Sequence, residues 1–355
     1  MDGWCRRWGN YSFNRETIGI SAKEHQPSFE ISEAVLSGET ADVYFQRTMA
    51  ILEKEGINPV VVMEFFPSRA GVFCGILEVK ALLERVLSKD NSEVWALPEG
   101  ASMDRREVTL RIKAPYRSYG LYETALCGIL SQGSAWATAA RECVEAAQGI
   151  SIISFGARHV HPSVSGQLDY AAAVGGCTSC SSILGGKLAG VEPSGTMPHT
   201  LVLVMGDTVK AALAFDKYMP SEVPRIVLVD TFRDEAEESL NVARALGERL
   251  QMVRLDTPSE RGRVTAELVK EVRARLDLEG FNHVGIFVTG GIDPDRIRYF
   301  REGDCPIVGF GVGSYISSAP PNDFTGDIHE IEGRPIAKRG RIPGITPNPR
   351  LERIL

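Results

Sequence analysis

Hydrophobic and polar positions change their pattern along this chain near Pro115. Ahead of it, DVYFQRTMAILEKE (42–55) carries its apolar residues at helical spacing, with Asp42 placed as an N-cap. Apolar runs at 59–65 (PVVVMEF), 93–97 (EVWAL) and 108–114 (VTLRIKA) predict strands, with a helical run, ILEVKALLERVLS, between the first two. Strand, helix, strand, strand is an α+β pattern. The first forty residues read as an irregular arm.

Past Pro115 the texture is different. Residues 121–148 form a long, Ala-rich helical region whose small side chains suit close packing. Short apolar runs follow at 151–155 (SIISF), 178–182 (TSCSS), 225–230 (RIVLVD), 252–256 (MVRLD), 284–290 (VGIFVTG) and 306–311 (PIVGFG), most of them leading into a helical run. Repeated strand-then-helix units predict parallel strands joined by right-handed crossovers. About six such strands favour a barrel resembling the (β/α)₈ type over an open sheet. In both, ligands gather at the C-terminal ends of the strands.

Composition narrows the function classes. With 355 residues, 43% hydrophobic and 24% charged, the chain suits two domains, or one barrel with an appendage, around a sizeable core. A net charge of −7 argues against a general nucleic-acid surface, so a phosphate ligand needs local glycine turns, helix N-termini or a few placed cations. No apolar run approaches the roughly 20 residues that span a bilayer, and the first residues lack the apolar stretch of a signal peptide. Seven scattered cysteines speak against a disulfide framework and for the cytoplasm.

The residues just after each predicted strand are chemical ones. Phe155, Gly156, Ala157, Arg158, His159 and His161 follow the first of the parallel set. Gly290-Gly291 and Gly311-Val312-Gly313 follow the last two, where backbone N–H groups at glycine turns suit a phosphate, and a helix starting at Asp293-Pro294 adds the positive end of its dipole. Asp230, Arg254 and Asp256 form a second cluster. It could bind sugar hydroxyls, hold Mg²⁺ or stabilise a developing cation, or be a structural Asp–Arg pair with Asp256 capping the next helix. Cys177 and Cys180 form a single C-x-x-C in a Gly/Ser-rich stretch, which points to a tight loop against a ligand more than to zinc or redox use. His159 and His161 lack a nearby third ligand, and no metal-ligating set is assigned. His199, in VEPSGTMPHTLVLVMGD (191–207), follows Gly195, Thr196 and Pro198 and runs into an apolar stretch, as either a packed imidazole or a group at the mouth of a site. The tail 334–355 sets Arg334, Lys338, Arg339, Arg341, Arg350 and Arg353 against Glu352 alone.

Five passages in order give this chain a resemblance to the nicotinate phosphoribosyltransferases: ADVYFQRTM (41–49), FGARHVHP (155–162), GCTSCSS (176–182), GTMPH (195–199) and the series VDTF, VRLD, VTGGID, GFGVG. The resemblance covers roughly residues 30–345. It implies an N-terminal α/β sandwich (1–120), an irregular α/β barrel with fewer than eight regular strands (121–318), and a C-terminal segment (319–355) that returns to the first domain. It also implies a homodimer or higher homo-oligomer with sites shared between chains. The implied reaction joins nicotinate to phosphoribosyl pyrophosphate with Mg²⁺, coupled to ATP hydrolysis through a phosphohistidine at His199. Asp230 and Asp256 would act near the ribose, Phe155 would stack on the pyridine, and Arg158 and Arg254 would contact it. Gly290, Gly291, Gly311 and Gly313 would cradle the 5′-phosphate. Tyr44 would reach over the base from a neighbouring subunit, and Lys338, Arg339 and Arg341 would attract pyrophosphate or ATP. Relatives that use nicotinamide carry an aspartate where Ser179 aligns, and a hydroxyl from Ser179 or Thr178 would instead donate to the nicotinate carboxylate.

Three rivals stay open at this point. A quinolinate phosphoribosyltransferase would need a richer cluster of Arg, Lys and His around the base, and no phosphorylated histidine. A nicotinamide-specific enzyme is the second, and a non-catalytic nucleotide-binding barrel the third. Joint presence of His199, Asp230, Arg254 and Asp256 weighs against the last.

Overall fold

A computed structural model describes residues 27–355, and the arm carrying Trp4, Trp8 and His25 lies outside the described residues. The first five strands are β1 (Val60–Pro67), β2 (Gly71–Val72), β3 (Glu93–Ala96), β4 (Ser102–Met103) and β5 (Leu110–Pro115). Six more follow as β6 (Ser151–Ser154), β7 (Ser179–Cys180), β8 (Ile226–Leu228), β9 (Met252–Leu255), β10 (Gly285–Val288) and β11 (Gly309–Val312). The tail adds β12 (Phe324–Ile331), β13 (Arg334–Pro335) and β14 (Glu352–Arg353). Contacts divide the chain into two units, one of Gln26–Ala139, Leu188–Gly190 and Ala319–Leu355, the other of Ala140–Lys187 and Val191–Ser318.

The first unit is an antiparallel sheet in the order β13-β12-β1-β5-β3-β14, with a separate β2-β4 pair. Val61, Met63 and Phe65 alternate along β1 onto one face, where they meet Leu110, Ile112 and Ala114 of β5. Over this face lies the helix Ile76–Val86, whose Val79, Leu82 and Leu83 form a buried i, i+3, i+4 stripe. The opposite face of β1 carries Glu64, fully buried. Its carboxylate accepts from Arg111 Nε at 2.8 Å and from the Thr346 N–H at 3.1 Å. That pairing explains how an acid sits inside the apolar run PVVVMEF: the chain tail covers it and supplies donors. Asp42 stands at the N-cap of the helix Val43–Lys54, as its position suggests. Its carboxylate, however, accepts from Thr124 Oγ1 (3.1 Å) and Tyr44 OH (3.4 Å), not from a helix N–H.

The second unit is a parallel sheet in the order β7-β6-β11-β10-β9-β8. Its strands are two to four residues long and almost wholly buried on both faces, as a barrel interior packed outside by helices requires. Both the irregular α/β barrel and the α/β sandwich expected from the sequence are therefore present, and the barrel is incomplete. No ladder joins β7 to β8. The extended stretch before His199 fills the gap, with Ser179 Oγ donating to Glu192 O (2.7 Å), Ser194 N to Cys180 O (2.8 Å) and Met197 N to Ile226 O (3.5 Å).

Four helices of this unit start on a side-chain cap. Asp207 accepts from Lys210 N, Asp234 from Ala236 N, Thr265 from Leu268 N and Asp293 from Arg296 N. Asp256 caps no helix, which removes one of its two structural explanations. Buried Asp169 binds Ser154 Oγ of β6 (2.9 Å) and Ser182 N beyond β7 (2.8 Å), tying two strand ends together.

Candidate active site

The C-terminal ends of β6, β8, β9, β10 and β11 bring Phe155, Asp230, Asp256, Gly290 and Gly313 to one rim of the barrel unit, since parallel strands all end on the same side. Arg254, the third residue of β9, is the most constrained side chain there. Its Nε donates to Thr289 Oγ1 at 2.9 Å, one terminal nitrogen to Thr196 Oγ1 at 2.6 Å and the other to Asp256 Oδ2 at 2.5 Å. Its guanidinium carbon stands 5.5 Å from the centroid of the Phe155 ring, close enough for a cation–π contact. The Asp–Arg pair envisaged from sequence thus exists, and it sits at the strand ends with an aromatic ring beside it.

Phe155 owes its position to glycine. A Cβ on Gly311 would lie 2.6 Å from both Phe155 Cε2 and Thr289 Cγ2, and one on Gly313 would lie 2.8 Å from His159 Cε1. Gly311 is a strand residue, and Gly313 has an ordinary negative φ of −108°. The missing side chains of these two glycines admit the Phe155 and His159 rings, a use distinct from the phosphate cradle expected of them. Gly290 and Gly291 differ: their φ values of +89° and +63° favour glycine, and neither N–H meets a backbone carbonyl among the described residues. A Cβ on Gly290 would touch Asp256 Oδ1 at 3.0 Å, and one on Gly291 would touch a terminal nitrogen of Arg263 at 3.0 Å.

His199 opens the helix His199–Met205, and its Nε2 lies 3.1 Å from Asp230 Oδ2. The hydrogen bond to Asp230 raises the imidazole pKa, against a smaller opposing effect of burial. Asp230 is almost fully buried, and its other oxygen, Oδ1, has no partner among the described residues. The packed-or-functional question resolves to a half-exposed imidazole that grips a buried carboxylate.

The other expected site residues fall in three groups. Arg158 is exposed in a short turn beside Phe155. Thr178 is exposed and Ser179 buried, and both hydroxyls are engaged: Thr178 Oγ1 is shared with Ser151 Oγ (2.6 Å) and Ile152 O (3.1 Å), and the Ser179 proton goes to Glu192 O. The expectation that Ser179 donates to a substrate carboxylate is corrected on that ground, because its one proton already closes the barrel gap. Tyr44, Lys338, Arg339 and Arg341 belong to the sandwich unit. Tyr44 is exposed, and Lys338 Nζ and Arg341 Nε each bind buried Asp327 at 2.6 Å, so these two cations serve an internal acid. Arg339 is exposed.

Among the described residues no three His, Cys, Asp or Glu side chains converge as a metal-holding group, and no helix is long and apolar enough to cross a membrane. His159 Nδ1 instead meets Ser317 Oγ, and His161 Nδ1 accepts from Ser163 N. Burial pushes the Cys177 thiol up and that of Cys180 up to about 12, which leaves both as protonated, unreactive groups. Sequence reasoning did not single out Thr289 or Arg263. Thr289 looks like any buried strand residue, and Arg263 gains interest only from its φ of +65° and its place over Gly291.

Two family models match consecutive stretches of the chain: quinolinate phosphoribosyl transferase, N-terminal domain, over residues 42–134, and its C-terminal domain over residues 136–326. Among solved structures, the nicotinate-nucleotide pyrophosphorylase of Pyrococcus furiosus is 43% identical, with a TM-score of 0.82, covering 89% of this chain and 81% of that one. A nicotinate-nucleotide pyrophosphorylase of Ehrlichia chaffeensis shares the fold at 15% identity and a TM-score of 0.63, covering 84% of this chain and 100% of its own. Among curated proteins, a nicotinate phosphoribosyltransferase of Mycobacterium tuberculosis H37Rv is 32% identical over 247 residues, 68% of this chain and 52% of that protein. The chain spans about half the length of the curated relatives it matches.

These findings correct the identification as a nicotinate phosphoribosyltransferase, and with it nicotinate and ATP as partners, the ATP-coupled ligase-type reaction and the phosphohistidine. The motifs behind that identification, FGARHVHP, GTMPH and the glycine turns, gather at the strand ends of the barrel unit, a placement that does not by itself separate the two families. Nor does the structure support the ATP steps at the tail: Lys338 and Arg341 are engaged by Asp327. With both domain models matched in order across most of its length, the chain belongs to the quinolinate phosphoribosyl transferase family.

Proposed function

We propose that this chain transfers the phosphoribosyl group of phosphoribosyl pyrophosphate to the ring nitrogen of quinolinate, releasing pyrophosphate and carbon dioxide and leaving nicotinate mononucleotide. The observation that carries this reading is the strand-end set of Phe155, Arg254 and Asp256 beside the Gly290-Gly291 turn, in a chain matched by both family models. Phe155 offers a face for the pyridine, and Arg254, held at its edge, a cation for a carboxylate. Arg158 on the same loop adds a cation for the second carboxylate.

Breaking the bond between C1′ and pyrophosphate builds positive charge on the ribose, which the Asp256 carboxylate stabilises. The Gly290 and Gly291 N–H groups, with Arg263 over the turn, suit the 5′-phosphate. Once the ring nitrogen is glycosylated its positive charge stabilises the carbanion left when the 2-carboxylate departs as carbon dioxide, and that carbon then takes a proton. Magnesium fits the residues present: Asp256 Oδ1 has no hydrogen-bond partner among the described residues and is a hard oxygen donor, and Mg²⁺ commonly takes one or two carboxylates together with substrate phosphates. When bound it would neutralise the departing pyrophosphate.

The test is an assay of quinolinate with phosphoribosyl pyrophosphate and Mg²⁺, following nicotinate mononucleotide. Turnover without ATP is expected, and Asp256→Asn should lower kcat about a hundredfold or more. Turnover of nicotinate with none of quinolinate, or an absolute need for ATP, would overturn the reading.

A further inference from the structure

The stretch Ser194–His199 crosses the open side of the barrel, and it touches both charged groups of the adjacent strand ends. Thr196 Oγ1 accepts from Arg254, after which Met197 pairs with the edge of β8 and His199 binds Asp230. Arg254 is therefore not aimed by its own strand alone. Asp256, two residues on, holds one arm of the guanidinium, Thr289, just past the neighbouring strand β10, holds the inner nitrogen, and Thr196, 58 residues away in sequence, holds the second arm. A guanidinium is planar, so three acceptors at separate nitrogens fix both its position and its tilt against the Phe155 ring.

We infer that Thr196 is a positioning residue that sets the orientation of Arg254 for the pyridine acceptor, and that the irregular seam of the barrel exists to deliver it. The inference deepens the function proposed above and rests on it. A serine at 196 keeps the acceptor; a valine keeps the shape and removes it. Loss of one hydrogen bond to a charged group corresponds to about a tenfold or larger change in affinity. Because the acceptor meets Arg254 before any bond breaks, the loss falls on KM and spares kcat.

Thr196→Val should raise KM for quinolinate about tenfold, with kcat within about threefold of the parent, and Thr196→Ser should restore KM. KM unchanged in Thr196→Val, or equal impairment in Thr196→Ser, would overturn the proposal. Crystal structures of the parent and Thr196→Val provide a readout that does not depend on the acceptor. In the variant the guanidinium should leave its place beside Phe155, and an unmoved guanidinium also counts against the proposal. A parent inactive on quinolinate, with Arg254 displaced in the variant, would reject the function and keep the positioning role.

Discussion

Gly311 shows how much one absent side chain sets at this site. The Phe155 ring and the Thr289 methyl both occupy the space its Cβ would need, and Thr289 in turn holds Arg254. Gly311→Ala must push the ring or the strand, at a cost of about 1–3 kcal/mol for an overpacked core position. The expected result is a folded protein with a lower melting temperature and a kcat/KM reduced at least tenfold, as thermal denaturation and the quinolinate assay would read it. Gly291 answers to a different constraint, its φ of +63°, and the two cases could not be told apart by composition. From the sequence both were simply glycines after strands. The same holds for Ser179, a plausible donor by type whose proton the fold spends on Glu192.

At the scale of elements, the helix Glu123–Ala147 begins with an unusual acid. Burial, followed by the charge of Asp327, raises the Glu123 carboxyl from its ordinary value to about 7, an effect that nearby Lys338 partly opposes and Asp42 reinforces. A carboxyl whose folded pKa exceeds its unfolded value holds its proton longer in the folded state. Stability therefore falls as pH rises from the unfolded value near 4.5 through about 7, and the full cost persists above that. Glu123→Gln should raise the melting temperature at pH 8 and leave it nearly unchanged at pH 4.5. A rise of equal size at both values would show that the carboxyl is not responsible. The elements themselves were largely legible: every strand-like run in 59–114 and 151–311 became a strand within a few residues, because period and apolar content act locally. That Asp256 caps no helix was not, since a cap depends on where the chain goes next.

At the scale of the whole molecule, residues 319–355 are part of the unit formed by residues 26–139. β12 pairs along the length of β1, and β14 closes the outer edge of β3. Asn348 Nδ2 donates to Val108 O at 2.8 Å, and Arg350 binds Glu107 at 2.8 Å. Ending the chain at Thr346 would remove β14 and these contacts while keeping β12 and the cover over Glu64. The melting temperature should drop by at least about 5 °C, whereas a scan that superimposes on the parent's would show that the last residues contribute nothing. The basic tail read as a possible anion site is largely internal wiring: Lys338 and Arg341 to Asp327, Arg350 to Glu107.

The sequence by itself determined the parallel strand-and-helix succession, the barrel with its accompanying α/β unit, and the rim residues Phe155, Asp230, Arg254 and Asp256, because each follows from local period or from its place just after a strand. It also carried enough motif pattern to indicate a phosphoribosyltransferase family, but those motifs led to the nicotinate family where both domain models give the quinolinate one. Only the tertiary structure decided which polar groups are already engaged. Ser179 with Glu192, Lys338 and Arg341 with Asp327, and His199 with Asp230 are pairs separated by 11 to 31 residues or more than one element, and hydrogen-bond partners at such distances are set by packing. For the same reason Thr196, given no role of its own within GTMPH, became visible as the third anchor of Arg254 only once the open edge of the barrel brought the two together.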